Sequence, residues 1–247
     1  MRFAILSDVH ASLEALEAVL ADARRRECDR IVCLGDFVGY GPNPNECVDL
    51  LTPLLEGRSV AGNHDWAAVG KLDITFFNPY AQEAILWTQK ALRPAVQQYL
   101  AALPSEWLHD GPRAFLAVHA SPRDPIEEYV LDAQTAGESF RERAFALCFV
   151  GHTHVPAMFV AAGNAVEARP FPVEEEVRLD PAFRYLINVG SVGQPRDGDP
   201  RAAYAVLDGE AATVQLVRLE YAFERTQEKM LREGLPPVLA ERLSVGR

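Results

Sequence analysis

Five apolar runs in the sequence each end in a short polar cluster that contains aspartate, asparagine or histidine. The clusters are Asp8–His10, Gly35–Asp36, Gly62–Asp65, His119 and Gly151–His154. Such runs are typical of strands buried on both faces, and open α/β sheets bind ligands beyond the carboxyl ends of their strands. We therefore expect the clusters to converge on one polar site. Because gathering carboxylates and imidazoles in one place is costly, that site needs a cation.

The overall charge restricts the partners of the chain. Its 247 residues include 24 Lys and Arg against 35 Asp and Glu, a formal net charge of −11. This argues against long nucleic acid as the main partner, since that binding depends on basic side chains that displace counterions. No apolar stretch approaches the ~20 residues needed to span a bilayer, so we expect no membrane partner.

The amino terminus and the cysteines indicate the compartment. The sequence begins directly with the strand Arg2–Ser7, so no signal peptide is expected. The four cysteines form no CxxC pair, and Cys33 and Cys148 fall inside apolar strands as small buried hydrophobes. Reduced thiols in a cytoplasmic protein fit this pattern.

Strands and helices alternate in the first third of the chain. Ser12 is predicted to cap a helix after the first strand; the strand Ile31–Leu34, a helix over Asn45–Leu55 and a strand over 58–61 follow. A helical hairpin divided at Pro94 is then predicted over 78–103. It either flanks the polar site as a wall or lid, or simply covers the sheet.

The second half changes to short strands separated by turn residues. They are Ala114–Val118, Leu147–Val150, Ala157–Ala161, Ala165–Ala168, Tyr185–Val189, Ala203–Leu207 and Thr213–Leu219. They favour a second, more antiparallel sheet. A helix near Tyr221–Arg232 follows, and His109 is expected in a solvated turn. The simplest architecture is one α/β domain over residues 1–247, made of two packed sheets with helices outside.

Seven side chains form the predicted metal site. Asp8 and His10 point the same way in an extended segment, and His152 and His154 repeat that spacing. The full set is Asp8, His10, Asp36, Asn63, His119, His152 and His154. Seven ligands are too many for one tetrahedral zinc and suit two divalent ions with a bridging carboxylate, for which Asp36 is our choice. Mn, Fe, Co, Ni and Zn all accept such ligands.

The charge of this site favours a phosphate ester as substrate. Two divalent ions and two aspartates leave about two positive charges, which a bridging hydroxide and a phosphoryl group bring toward neutrality. Two ions also hold the attacking and leaving oxygens of an in-line displacement, and they lower the pKa of a bound water toward neutral.

Together, the five blocks resemble the signature of the calcineurin-like metallophosphoesterases, in the order of that family. The resemblance implies a four-layer α/β/β/α sandwich of two mixed sheets with a dimetal site at the sheet edge. It implies one metal held by Asp8, His10, Asp36 and His154, and another held by Asp36, Asn63, His119 and His152. It also implies that His64 contacts the phosphate and protonates or stabilises the leaving group.

Two differences from the patterns of known branches narrow the part of the superfamily that this sequence resembles. The protein phosphatases of the superfamily continue the second block with Asp-Arg-Gly, but Gly39-Tyr40-Gly41 stands here, so the phosphate-binding arginine is missing. Purple acid phosphatases carry a metal-binding tyrosine three residues after the bridging aspartate, where this chain has Gly39. The chain instead looks like the compact bacterial and archaeal phosphodiesterase-like branch, including the segment 188–196.

Four residues are candidates for binding the substrate. Asn63 and His64 follow from the resemblance, although His64 alternatively orients Asp65 or caps a helix. Arg196 either forms a plain turn or supplies the phosphate contact of the missing arginine. Tyr40 lies in the Gly-rich loop after Asp36, which either lines the pocket or only connects two elements.

The leading hypothesis is a dimetal-dependent phosphoesterase that hydrolyses a small phosphomonoester, phosphodiester or nucleotide by attack of a metal-bridging hydroxide, with Asp36 and His64 as catalytic residues. The alternative is a catalytically silent scaffold with the same fold that binds another protein; scaffolds of this kind normally have broken ligand sets. A redox metal enzyme is a poorer match, because such enzymes favour two histidines and one carboxylate.

Overall fold

Eleven strands form two mixed sheets in the computed structural model, which describes residues 1–247. The strands are β1 (Arg2–Leu6), β2 (Arg30–Cys33), β3 (Glu106–His109), β4 (Phe115–Val118), β5 (Leu147–Val150), β6 (Ala157–Ala162), β7 (Ala165–Arg169), β8 (Glu176–Arg178), β9 (Arg184–Asn188), β10 (Ala202–Asp208) and β11 (Thr213–Leu219). The first sheet has the order β2-β1-β10-β11-β8, and the second has the order β3-β4-β5-β9-β6-β7.

The chain also forms eight α-helices. They are α1 (Leu13–Arg25), α2 (Pro44–Leu55), α3 (Asn63–Ala68), α4 (Pro79–Ala91), α5 (Pro94–Ala102), α6 (Ala133–Glu142), α7 (Phe223–Arg232) and α8 (Pro237–Glu241). Short 3-10 turns lie at Ile74–Phe76 and Arg242–Ser244.

The alternation of side chains along each strand builds the layers. Phe3 and Ile5 of β1 face the second sheet and share a core with Phe115 of β4 and Phe149 of β5. Their neighbours Ala4 and Leu6 face the other way, into a core that contains residues of α1, α2 and α5. On the far side, α6 packs against the second sheet. Because interior strands such as β4 and β5 are buried on both faces, they are continuously apolar. The predicted four-layer α/β/β/α sandwich is confirmed.

The parallel strands place their carboxyl ends at the predicted site. β1 pairs in parallel with β2, and β5 pairs in parallel with both β4 and β9. The remaining pairs are antiparallel, so both sheets are mixed. The backbone N–H of Asp8 donates to the Gly35 carbonyl, which joins the loops that follow β1 and β2.

Three local expectations are wrong. The segment 58–61 forms only an isolated bridge between Ser59 and Cys33. His109 ends strand β3, where its ring contacts Phe3 and Phe115, so it does not lie in a solvated turn. The strands of the second half do not form one sheet either, because β8, β10 and β11 join β1 and β2.

The predicted helical hairpin consists of α4 and α5. Each helix has proline at its first position, where the fixed φ and the missing N–H cost nothing. Ala81 and Ala84 of α4 pack against Tyr40 together with Met230 and Leu243. The carboxyl-terminal residues, which the sequence leaves unassigned, therefore support the loop after β2.

Two further features are the state of the cysteines and the character of the helices. All four cysteines are free, and Cys33, Cys47 and Cys148 are buried. None of the helices has the length and apolar character that a membrane crossing requires.

Candidate metal centre

All seven predicted ligands are buried, and they meet beyond the carboxyl ends of strands from both sheets. Asp8 and His10 follow β1, and Asp36 follows β2. Asn63 begins α3, whereas His119 follows β4. His152 and His154 complete the set in the turn after β5.

Four of these residues form a first group. One ligand atom from each of Asp8, His10, Asp36 and His154 lies within 4.8 Å of all the others. His154 Nε2 is 3.2 Å from Asp8 Oδ1 and 3.1 Å from His10 Nε2. The geometry is compact enough for all four atoms to contact one cation.

The other three residues form a second group around His119. Its Nε2 is 3.1 Å from Asn63 Oδ1 and 3.1 Å from His152 Nδ1. Asp36 lies between the two groups, because its Oδ2 is 3.5 Å from His10 Nε2 and 3.4 Å from His119 Nε2. Of the seven residues, Asp36 has the position that a bridging ligand requires.

Backbone carbonyls fix the tautomer of each of the four histidines. The contacts are His10 Nδ1 with Val38 O at 3.1 Å, His119 Nδ1 with Leu34 O at 2.9 Å, His154 Nδ1 with Gln194 O at 2.6 Å and His152 Nε2 with Glu127 O at 3.1 Å. Because a carbonyl only accepts, the proton lies on the nitrogen that faces it. The other nitrogen of each ring points into the cluster as a bare lone pair, the arrangement found in metal-ligating histidines.

These lone pairs meet without a donor between them. His10 Nε2 and His154 Nε2 are both acceptors, so their separation of 3.1 Å is not a hydrogen bond. Asp8 Oδ1 and Asp36 Oδ2 are also buried without a hydrogen-bond partner. An unpartnered buried charge is expensive, and a cation in contact with these atoms removes the cost. The residues therefore fit a divalent metal.

The ionisation of the cluster leads to the same conclusion. Burial lowers the pKa of His152 to about 3, and the nearby His119 adds to the effect. Burial, with the charge of Arg196, lowers the pKa of His154 to about 4. These imidazoles are neutral near pH 7 and do not compensate the aspartates. Burial and the adjacent Asp8 accordingly raise the pKa of Asp36 well above its usual range.

The backbone around the cluster is strained. Asp8, His10, Asp36, His152 and His154 all have positive φ, between 47° and 64°. This left-handed conformation is unfavourable for residues other than glycine and clusters at functional sites. Here it turns the side chains inward directly after each strand.

A cleft of about 170 Å³ opens onto the cluster. Its lining includes Asn63, His64, His152, Tyr40 and Arg196, so all four predicted substrate-binding residues contact the same space. The Arg196 guanidinium lies over the Tyr40 ring, 5.6 Å from its centroid. Arg196 forms no ion pair with a carboxylate, and its Nη2 donates to Gln194 Oε1 at 2.8 Å.

His64 is buried beside the cluster and is not held by Asp65. The Asp65 carboxylate accepts from the backbone N–H groups of Gly62 and Val38, whereas His64 Nδ1 has no partner. Burial, with the charge of Arg196, lowers the pKa of His64 well below its usual range. Its ring contacts Tyr40 and Phe77 at centroid distances of 4.4 and 5.1 Å.

The sequence did not indicate several residues at this cleft. Phe76, Phe77, Asn78, Glu127 and Tyr129 also line it. The pair Phe76-Phe77 in a polar stretch was a usable signal, but nothing in the sequence marks Tyr129. A larger groove of about 670 Å³ lies between α1 and α2 and contains none of the predicted site residues.

Comparison with known proteins finds relatives that match over nearly the whole length of the chain. A metallophosphoesterase from Sphaerobacter thermophilus is 46% identical, with a TM-score of 0.89 over 100% of this chain and 99% of that one. An uncharacterized protein from Methanocaldococcus jannaschii is 41% identical over 99% of this chain and 98% of its own length. A hypothetical protein from Pyrococcus horikoshii OT3 shares the fold at 18% identity, with a TM-score of 0.81 over 100% of this chain and 98% of that chain.

The family follows from the sequence match. Residues 1–212 match the calcineurin-like phosphoesterase superfamily domain, which is most of the chain. The chain therefore belongs to the calcineurin-like phosphoesterase superfamily.

Proposed function

We propose that the protein is a dimetal-dependent phosphoesterase that hydrolyses a small phosphomonoester, phosphodiester or nucleotide. The observation that carries this proposal is the contact between bare imidazole nitrogens and unpartnered carboxylate oxygens in the buried cluster. Hydrogen bonding within the protein leaves these atoms unsatisfied, whereas divalent cations would satisfy them.

The two groups of side chains would hold two cations. Asp8, His10, Asp36 and His154 would hold one, and Asp36, Asn63, His119 and His152 the other. Bound divalent cations such as Mn, Fe, Co, Ni or Zn supply Lewis acidity and lower the pKa of water toward neutral. Asp36 would be shared between them, since its Oδ2 faces both His10 and His119.

His64 is proposed to act on the phosphate or the leaving oxygen. Its ring lines the cleft, and neither of its nitrogens is engaged with another residue. It is neutral near pH 7, and a neutral imidazole still carries one N–H that can donate to an oxygen. A positioned donor of this kind stabilises charge that develops on the leaving group.

Arg196 and Tyr40 are proposed to orient the phosphate. Buried Arg196 Nε has no partner, and no carboxylate neutralises the guanidinium. Arg196 is thus available for the bidentate contact that guanidinium makes with phosphate. The Tyr40 ring supports it from below, where α4 and the carboxyl-terminal residues pack.

The wider organisation is part of the proposal. We take residues 1–247 as a single domain, because strands from both halves of the chain build each sheet. The hairpin over 78–103 acts as a wall rather than a lid, since α4 buries Ala81, Ala84, Ile85 and Thr88. Its first turn, at Asn78, lies on the cleft. A reducing compartment such as the cytoplasm suits the four free cysteines.

The test is hydrolysis of p-nitrophenyl phosphate and its bis ester by the purified protein. We expect turnover with Mn²⁺, its loss after EDTA and its recovery when metal is restored. Asp36→Asn should lose far more turnover than Arg196→Ala, and His64→Ala should lower kcat. Silence on both esters with every divalent cation tried would instead favour a protein-binding scaffold.

A further inference from the structure

The apolar lining of the cleft is entirely aromatic. Of the residues that contact this space, the hydrophobic ones are Tyr40, Phe76, Phe77 and Tyr129, with no aliphatic side chain among them. Tyr40 and Phe77 pack against His64 at the base of the cleft. Phe76 and Tyr129 lie at the rim, with 85% and 50% of their surface exposed.

Tyr129 is a firmly held ring. Its centroid is 4.0 Å from that of His152, with 32° between the planes. The loop that carries it is fixed by Arg123, which pairs with Glu128 and also with Glu138 at 2.7 Å. The carbonyl of Glu127, two residues before Tyr129, accepts from His152 Nε2. One face of the ring is therefore packed, and the ring is set in place before any ligand arrives.

Phe76 provides a second exposed ring on the same cleft. It ends the 3-10 turn Ile74–Phe76, which Asp73 caps by accepting from the Thr75 N–H. A single exposed aromatic residue needs no explanation. Two exposed rings on one small cleft beside a buried polar cluster are a stronger indication of a binding site. Together they offer flat apolar surfaces to any part of a ligand that extends out of the cleft.

The size of the cleft determines where a substrate must extend. Its volume of about 170 Å³ is below the ~300 Å³ at which ligand pockets usually begin. A phosphate group in contact with His64 and Arg196 uses the inner part, so the ester group has to pass over the rim. The rim consists of the two exposed rings together with the polar side chains of Asn78 and Glu127.

The polar atoms at the rim suit the edge of a heterocyclic base. Asn78 Oδ1 accepts from the Ala81 N–H, which leaves the two N–H groups of its amide as donors. The exposed Glu127 carboxylate makes no hydrogen bond or ion pair and is an acceptor. Ring faces with separate donors and acceptors match a nucleobase better than an alkyl chain or a sugar.

We propose that the substrate is a nucleoside phosphate ester whose base lies against Phe76 and Tyr129 while its phosphate occupies the inner cleft. This inference rests on the proposed phosphoesterase function and specifies its substrate class. Phe76 and Tyr129 determine specificity and take no part in the chemical step.

Two chromogenic diesters that share a leaving group test the preference. Thymidine 5′-(p-nitrophenyl phosphate) and ethyl p-nitrophenyl phosphate differ only in whether a nucleoside or an ethyl group is retained. Since stacking on an aromatic side chain is worth ~1–3 kcal/mol per base, we expect kcat/KM to favour the nucleoside ester by about 5- to 140-fold. AMP against glycerol 3-phosphate makes the same comparison for monoesters.

The variants locate the preference. Tyr129→Ala and Phe76→Ala should each reduce the nucleoside-to-ethyl ratio of kcat/KM several-fold, whereas Tyr129→Phe should retain it because the ring remains. Tyr80→Ala serves as the matched control, since Tyr80 is 52% exposed on α4 and does not line the cleft. An equal ratio in the wild type and both alanine variants would overturn the proposal.

A binding measurement separates this proposal from the proposed function. Calorimetric titration of the metal-loaded protein with AMP and with ribose 5-phosphate requires no turnover. Tighter binding of AMP that depends on Phe76 and Tyr129 supports the base site even if no ester is hydrolysed. Hydrolysis of esters with equal binding of both ligands would retain the phosphoesterase and reject the base site.

Discussion

A Cβ atom on Gly62 would lie 2.6 Å from the Cγ of Asp36, closer than real side chains approach. The backbone of Gly62, with φ −101° and ψ 173°, is open to any residue, so the constraint is contact and not strain. Gly62→Ala should therefore displace the Asp36 carboxylate and lower kcat/KM by about 100-fold, the cost of a displacement near 1 Å.

The matched control for Gly62 is Gly137→Ala in α6. There the nearest atom to an added Cβ is the flexible end of Arg141, at 3.3 Å. Gly137→Ala should leave esterase kinetics within the error of the wild type. If Gly62→Ala bound metal and turned over substrate as well as this control, the close approach to Asp36 would not matter.

Removal of metal should lower the thermal stability of the protein. The unpartnered atoms Asp8 Oδ1 and Asp36 Oδ2 need a cation, so chelation by EDTA should reduce Tm and Mn²⁺ should restore it. Elemental analysis of the loaded protein should find about two equivalents. Asp36→Asn should abolish the Tm gain on adding metal, whereas Asp49→Asn, at an exposed position of α2, should retain it.

Asn188 holds the turn that carries His152 and His154. Its buried amide donates to Gly151 O and Thr153 Oγ1, and its oxygen accepts from the Gly190 N–H. Asn188→Ala should lower the free energy of unfolding by about 3 kcal/mol and weaken metal binding. Asn45→Ala also removes two hydrogen bonds between a side-chain amide and the backbone. It should lower the free energy of unfolding without changing metal affinity. Equal metal affinity in both variants would contradict the role of Asn188.

Arg123 should affect metal binding by the second group of side chains, around His119, although it does not belong to that group. It fixes the loop whose Glu127 carbonyl orients His152. Arg123→Ala should lower the affinity for the second cation by about 10-fold relative to that for the first. Outer hydrogen-bond partners of metal ligands contribute about this much to metal affinity. Competition titration with a chelating dye measures both affinities. The control is Arg141→Ala, a basic residue of α6 that forms no ion pair; an identical affinity ratio in the two variants would argue against the loop.

Cys28 should react slowly with alkylating reagents. Burial raises the pKa of its thiol from 9.0 to about 11, and only the thiolate reacts. Iodoacetamide at pH 8 should therefore modify folded Cys28 about 100-fold more slowly than an unperturbed thiol, with a rate that continues to rise above pH 9. Because the folded thiol keeps its proton to higher pH than the unfolded thiol, the free energy of unfolding should fall as the pH rises from about 9 to about 11. Mass spectrometry should detect this modification in the wild type and not in Cys28→Ser, which identifies the site. Equal alkylation rates in the folded and the denatured protein would disprove the raised pKa.

The interior strands were readable from the sequence because both of their faces are buried. β5 is predicted with its observed bounds, since every residue of Leu147–Val150 is apolar. β3 and β8 lie at sheet edges and alternate with exposed residues, so they resemble polar loops. The sheet to which β10 and β11 belong depends on pairing with the distant β1, which no local pattern records.

Some residues of the candidate site can be predicted from the sequence and others cannot. The seven candidate ligands are predictable because each follows an apolar run in the sequence, and the structure brings all seven side chains together. Their carbonyl partners could not be predicted, because a backbone oxygen leaves no mark in the sequence. Tyr129 was missed because its loop has no apolar periodicity, and its position follows from the ion pairs of Arg123.

The two-sheet origin of the ligands has a consequence for biosynthesis. All seven ligand residues have left the ribosome once residue 154 has, yet β1 and β5 then still lack their neighbours β10 and β9. Those neighbours end at Asp208 and Asn188, so the nascent chain carries the complete ligand set before it can hold the ligands in place. We therefore expect metal to be acquired late, once the fold is complete, and not to act as a nucleus around which folding begins.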